Sequence, residues 1–278
     1  MKSPIYLTRT HAVNLGDVVL QKNVRERILK DGYPVTTVGF RDDVWKTYSN
    51  EDIIISAGGF CCHHHQRPGE FQIYDWLLQR GNRLYFWGPG YNEYAVDVYN
   101  PDYTTPYDTE YDGLFRHENV VLRGFRDYGN PHEYVPCPSC IDPLFDEKFD
   151  LQHETVILEH ESLPLCLPDG GEIPRKRNTL EIYSFEEIIQ FIGGADSVIT
   201  NTYHGAYWSM LLNKKVIVYK PWASKFHTFK YTPSFANEQD YRQKIVSSRN
   251  ATPDYLQECR RINEDFYSKL TSHLLATG

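Results

Sequence analysis

Residues 197–219 constrain the fold of this chain more than any other segment. An apolar strand-like run at 197–200 leads into the polar loop TNTYHG, residues 205–212 are almost wholly apolar at helical length, and residues 216–219 form a second apolar run. Strand, buried helix and strand in this order predict a β-α-β unit with a polar loop at the carboxyl end of its first strand.

The same alternation runs through the first half. Residues 5–9 read as a strand, followed by THAVNLGD and a helix on which Leu20, Val24 and Ile28 fall four apart. A strand at 52–56 ends in Ala57, Gly58 and Gly59. A helix carries Ile73, Trp76 and Leu77, and a strand at 84–87 ends in GPG. Short strands alternating with helices predict an α/β chain with parallel sheets. Glycine or proline at each strand end puts loops at the carboxyl edge, where a ligand approaches backbone closely.

Residues 91–118, rich in tyrosine and aspartate, break the pattern and read as an irregular insertion. A strand at 120–123 restores it. The segment CPSCIDPLFDEKFD, residues 137–150, reads as a passage between domains, and a new strand starts at 155–159. The expected division of the 278 residues is therefore 1–145 and 146–278. In the second half Ser184 and Glu187 have capping-box spacing, with Phe185, Ile188, Ile189 and Ile192 behind them and Gly193 and Gly194 as the stop. Thr252 and Pro253 open a last helix, with Tyr255, Cys259, Ile262 and Phe266 on one face.

Charge and composition narrow the function classes. A net charge of -8 argues against nucleic acid as a partner, because phosphate backbones call for a basic face. Six cysteines without a leader-like N-terminus suggest reduced thiols in a cytoplasmic protein, and no apolar run reaches the roughly 18 residues that span a bilayer. Two cysteine-bearing segments, Cys61 to His65 and Cys137 with Cys140, contain metal-ligating residue types. Five consecutive residues cannot all turn to one ion, and the CxxC has no regularly spaced second half, so no metal is expected.

His204 is the leading candidate for chemistry. It lies between a buried strand and a helix start, where backbone N–H groups point at any bound anion. The same position suits an imidazole that only caps the helix. Asn14, Gly16 and Asp17 form a tight turn at a helix start that fits either ligand contact or capping. Gly58 and Gly59 fit a ligand-facing loop or an ordinary turn. The run Arg175, Lys176, Arg177 in a loop rich in glycine and proline reads as solvated surface or as a contact to a membrane surface or pyrophosphate.

The run DSVITNTYHGAYWSMLLNKKVIVY, followed by Ser224-Lys225-Phe226, resembles the polysaccharide pyruvyl transferase family. Asn14-Leu15-Gly16-Asp17, the Gly58-Gly59 pair, RGFRD at 123–127 and IDP at 141–143 agree with it in order. The resemblance implies two Rossmann-like domains facing across a cleft, like glycosyltransferase-B enzymes, with the last helix returning to the first domain. It implies transfer of pyruvate from phosphoenolpyruvate to two hydroxyls of a saccharide, forming a ketal, with no cofactor. The acceptor would be lipid-linked or nucleotide-linked, and the protein would work at the inner face of a membrane. His204 matches the family's histidine and takes the proton-transfer role, while Asn201 and Thr202 in its loop would contact substrate. Family members often carry arginine two positions before the histidine. This chain has Thr202 there, so Arg123, Arg126 and Lys225 would supply the positive charge. A sugar-nucleotide glycosyltransferase and a non-catalytic saccharide-binding protein are the alternatives on the same architecture.

Overall fold

The computed structural model describes residues 4–9, 14–39, 49, 53–58, 68–91, 110–168, 172–250 and 252–276. The first half contains β1 (Ile5–Arg9), α1 (Leu15–Lys30), β2 (Val35–Gly39), β3 (Ile53–Ala57), α2 (Pro68–Gln79), β4 (Arg83–Trp87), α3 (Glu110–Phe115), β5 (Val120–Phe125) and β6 (Glu133–Tyr134). Its strands form one parallel sheet in the order β2-β1-β3-β4-β5-β6. The second half contains β7 (His153–Glu159), β8 (Arg175–Arg177), α4 (Phe185–Gly193), β9 (Ala195–Thr200), α5 (Tyr203–Leu211), β10 (Lys215–Tyr219), β11 (Ser234–Ala236), α6 (Tyr241–Ser247) and α7 (Tyr255–Ala276). Its sheet is also parallel, in the order β11-β10-β9-β7-β8.

Read from β2 and from β8, both sheets start with their second strand, then the first, third, fourth and fifth. In this order the chain reverses direction of travel between the first and third strands, β1/β3 in one sheet and β7/β9 in the other. Loops leaving the carboxyl ends there diverge and leave a crevice. The α/β class with two parallel sheets is thus established from the residues upward.

Both faces of both sheets are covered, as parallel sheets require. Alternation along single strands shows it. Val156, Leu158, Val198, Val216 and Val218 enter one large apolar cluster, while their neighbours Ile157, Ile199 and Ile217 enter a separate one on the opposite face with Tyr219 and Tyr241. The large cluster continues without a break into Ile5, Leu7, Ile55 and Trp87 of the first sheet. A third cluster, with Ile54, Tyr74, Phe86 and Phe115, fills the other side of that sheet.

The capping box at Ser184 is formed in both directions: the Glu187 N–H donates to Ser184 Oγ at 3.2 Å and the Ser184 N–H to Glu187 Oε2 at 2.7 Å. The last helix, α7, lies against the first sheet. Trp87 on β4 donates from Nε1 to Asn263 Oδ1 at 2.7 Å and stacks on Tyr267. A Cβ on Gly124 of β5 would stand 2.8 Å from the Phe266 ring.

Strands β2, β6, β8 and β11 lie outside the sequence expectations. Three of them are two or three residues long or strongly charged, so periodicity cannot reveal them. β8 is the basic run itself, forming an edge strand instead of a loop. Arg175 and Arg177 turn to the buried carboxylate of Glu159, at 3.7 and 3.2 Å, and the Lys176 ammonium lies 4.7 Å from the Tyr183 ring centroid. The run is thus tied to the fold by one buried carboxylate, while Arg175 and Arg177 themselves stay exposed. Within the expected irregular insertion, α3 is a short helix, and residues 92–109 fall outside the described residues. No described helix is long and apolar enough to cross a membrane.

Candidate active site

The crevice of the second sheet is built by its loops. Thr200 Oγ1 at the end of β9 donates to Leu158 O at 2.6 Å and accepts from the Thr202 N–H at 3.1 Å, which fixes the turn into α5. Thr202 is the N-cap of α5, its hydroxyl accepting from the Gly205 N–H at 2.7 Å. Asn201 spans the crevice. Its Oδ1 accepts from the His160 N–H at 2.8 Å, its Nδ2 donates to Leu163 O at 2.9 Å, and its own carbonyl accepts from Trp222 Nε1. Both residues are therefore committed to shaping the loop.

His204 follows in the first turn of α5, almost enclosed. Its ring meets the other half of the molecule. A Cβ on Gly16, at the start of α1, would lie 1.9 Å from His204 Nδ1, so only glycine permits this approach. On the opposite ring nitrogen, Nε2 is 3.5 Å from Cys137 Sγ. Asn14 caps α1 through Oδ1, which accepts from the Gly16 and Asp17 N–H groups at 3.1 and 3.3 Å, and its backbone bridges to Thr179 after β8. The amino ends of two helices thus face each other with the imidazole between them.

Two cations belong to the same place. The Arg126 guanidinium, buried, stacks 4.0 Å from the Tyr203 ring centroid, and the Lys225 ammonium sits 4.1 Å from the Trp222 ring centroid. Desolvation holds the His204 imidazole well below its ordinary proton affinity, and the charges of Arg126 and Lys225 lower it further. The ring is neutral at pH 7. Burial also pushes the Cys137 thiol up, so it is a protonated neighbour and not a thiolate.

Beside Arg126, Asp127 is wholly buried, and burial pushes its carboxyl up to about 6 against the opposing effect of Arg126. Its Oδ2 accepts from the Tyr91 N–H and its Oδ1 from Thr228 Oγ1, both at 2.7 Å. Thr228 belongs to the second half, and its carbonyl accepts from the Tyr128 N–H at 2.8 Å, so this carboxylate ties the halves together.

The structure therefore assembles Asn14, Gly16, Asp17, Arg126, Asn201, Thr202, His204 and Lys225 around one seam. Arg123 is elsewhere: its guanidinium donates to the carbonyls of Phe115 and His117 behind α3. Gly58 has a φ of +58° at the end of β3 and lies against Leu20, a packing reason for glycine. Gly59 and the Cys61 to His65 run fall outside the described residues. Among the described residues no group of three or more metal-ligating side chains converges.

Four participants were missed in the sequence. Cys137 was visible only as half of a CxxC, yet that segment packs under α5, with Tyr207 Oη donating to Cys137 O and Trp208 Nε1 to Ser139 Oγ. Tyr91 and Thr228 act through hydrogen bonds to Asp127, for which no local pattern exists. Asn178, directly after β8, is 1 % exposed, and its Oδ1 has no hydrogen-bond partner among the described residues. Other buried side-chain atoms, such as Gln21 Nε2 and Tyr85 Oη, share that state, so it is the place of Asn178 in the sheet that sets it apart. β8 lies two strands from β9, about 10 Å across the sheet, on the same carboxyl edge as the loop before His204.

No protein-family model matches the chain, and no curated protein matches it. Solved structures with some similarity include the uncharacterized protein KP1_0663 from Klebsiella pneumoniae subsp. pneumoniae NTUH-K2044, at 15% identity over 79% of this chain and 84% of that one, with a TM-score of 0.48. Another is an alpha-glucosyltransferase in complex with UDP and a 13-mer DNA containing a HMU base, at 11% identity over 97% of this chain and 95% of that one, also with a TM-score of 0.48. Both likenesses are too loose to speak for function.

Proposed function

We propose that the chain is a transferase that moves the pyruvyl group of phosphoenolpyruvate onto two hydroxyls of a saccharide, on a glycosyltransferase-B-like arrangement of its two sheets. The observation that carries this reading is the neutral, enclosed imidazole of His204 between two helix amino ends, with Arg126 and Lys225 close enough to depress its proton affinity. A site with two cations and no proton on its histidine is built for a ligand that brings its own negative charge.

Phosphoenolpyruvate supplies a carboxylate and a phosphate. Bound against Arg126 and Lys225, it cancels their charges and sets its own anionic groups beside the ring, an attraction that also opposes the desolvation, so the imidazole becomes cationic once the donor is seated. His204 then delivers that proton to the enol methylene, and C2 becomes electrophilic. One saccharide hydroxyl adds to C2 with loss of its proton to the now neutral imidazole. Phosphate leaves with the electron pair of its bond to C2, the second hydroxyl adds to the cationic carbon to close the ketal, and its proton goes to the released phosphate. The saccharide lies along the carboxyl edge toward Asn178, whose amide is suited to sugar hydroxyls. The acceptor is a lipid-linked or nucleotide-linked saccharide.

One observation favours a second reading, a glycosyltransferase using a sugar nucleotide. Thr202 brings no charge and its hydroxyl is committed to the Gly205 N–H, so the cations present also suit a diphosphate laid across the start of α5. Thermal-shift titration with phosphoenolpyruvate and with a panel of sugar nucleotides separates the two. Stabilisation by phosphoenolpyruvate, lost in Arg126→Gln, is expected; stabilisation by a sugar nucleotide alone overturns pyruvyl transfer. Unchanged saccharide modification by His204→Asn removes the histidine from the mechanism.

A further inference from the structure

The cavity of about 610 Å³ in the second half lies away from His204. It sits at the amino edge of the sheet, where β10 and β11 begin, beside Met210 near the carboxyl end of α5 and Thr252 just before α7. His204 is at the other end of α5, six residues or about 9 Å along the helix. The volume is in the range of small-molecule sites.

Its lining is basic in an acidic protein. Lys214, Lys230 and Arg249 face it, and no carboxylate is among the lining residues. Each cation has a structural explanation to be weighed. Lys230 is paired with Glu258, so its charge is met. Lys214 Nζ donates to Gly193 O, the role expected of a lysine near a helix carboxyl end. Arg249 is an exposed residue whose guanidinium makes no hydrogen bond or ion pair among the described residues, and the end of α6 is held without it, by the Ser248 N–H on Lys244 O. The hydroxyls of Thr232, Ser247 and Thr252 also have no partner among the described residues. An unengaged guanidinium, a lysine and three open hydroxyls around one concavity form a donor-rich set suited to phosphate oxygens.

We infer that this cavity is a second binding site, taking a small molecule that carries a phosphate group. Arg249 engages the phosphate, Lys214 adds its charge, and Thr232, Ser247 and Thr252 donate hydroxyl hydrogens. The site stands independently of the function proposed for His204.

Calorimetric titration of the full chain with inorganic pyrophosphate at low ionic strength tests the inference. Because the Arg249 guanidinium has no partner among the described residues, Arg249→Ser is expected to keep the melting temperature of the free protein while weakening pyrophosphate binding by about tenfold or more. Lys214→Met weakens it further. The same titration of His204→Asn separates the two sites: binding there is expected to persist with its dependence on Arg249. Binding lost in His204→Asn but intact in Arg249→Ser assigns the anion to the seam and overturns the inference, as does no binding at millimolar pyrophosphate. Vesicles of phosphatidylcholine with phosphatidylserine are expected to leave the protein in the supernatant. Sedimentation that depends on Arg249 would show that the phosphate belongs to a lipid surface instead.

Discussion

Burial acts in opposite directions on the two enclosed ionisable groups nearest the seam. Asp127 is raised to about 6, so between its unfolded value near 4 and 6 the folded chain holds a proton that the unfolded chain has released. Stability from this group is present at low pH and is lost as pH rises through 6. His204 is depressed, so below about 6.5 the unfolded chain holds a proton that the folded chain lacks, and stability is lost as pH falls. Between about pH 4.5 and 6 the two slopes oppose each other. Urea unfolding across that window should show stability falling with rising pH in His204→Asn and rising with pH in Asp127→Asn, each by up to about 1.4 kcal/mol per unit relative to the parent. Parallel profiles for parent and variants would refute the assignment. Gly16→Ala drives a methyl into the imidazole and should cost about 1–3 kcal/mol, with loss of any activity that needs His204. Asn178→Leu removes an amide whose Oδ1 has no partner among the described residues, so its unfolding midpoint should not fall; a drop of more than about 1 kcal/mol would reveal a bond to that group. At this scale the sequence was readable where chemistry and a local frame coincide, as at His204 and Asn14. It was silent at Cys137, Thr228 and Asn178, whose meaning comes from neighbours distant along the chain.

Among the elements, the β-α-β unit around α5 was legible because burial on all sides leaves an unbroken apolar run, and α4 because its cap has a fixed spacing. β8 was illegible for the converse reason. Its three residues are all basic, and they form a strand because Glu159 and the Tyr183 ring receive them. α7 was recognised as a helix, and one of its side chains bonds the surface that receives it at two places. Asn263 Oδ1 accepts from Trp87, while Nδ2 donates to Pro136 O and Cys259 O. Asn263→Leu leaves the indole N–H and the Pro136 carbonyl buried without partners, at about 1–3 kcal/mol each. A lowered urea midpoint, with near-ultraviolet dichroism reporting a released Trp87, is the expected result. An unchanged midpoint would mean that the other contacts of α7, among them Arg260 to the Cys140 and Asp142 carbonyls and Tyr267 to Asp31, hold it without Asn263.

For the whole molecule, sequence periodicity identified parallel sheets but not their shared strand order, because the order depends on which edge each new strand joins. The halves meet through Gly16 on His204, through Asp127 on Thr228 and through one continuous apolar cluster. Thr228→Val removes a donor from the buried carboxylate and should raise Asp127 above about 6, visible as a shifted carboxyl titration by carbon-13 NMR. The chain passes between the halves twice, once after β6 and again between α6 and α7, which lies back on the first sheet. Because one apolar cluster runs through both sheets, parting them at His204 would lay that shared surface open to water.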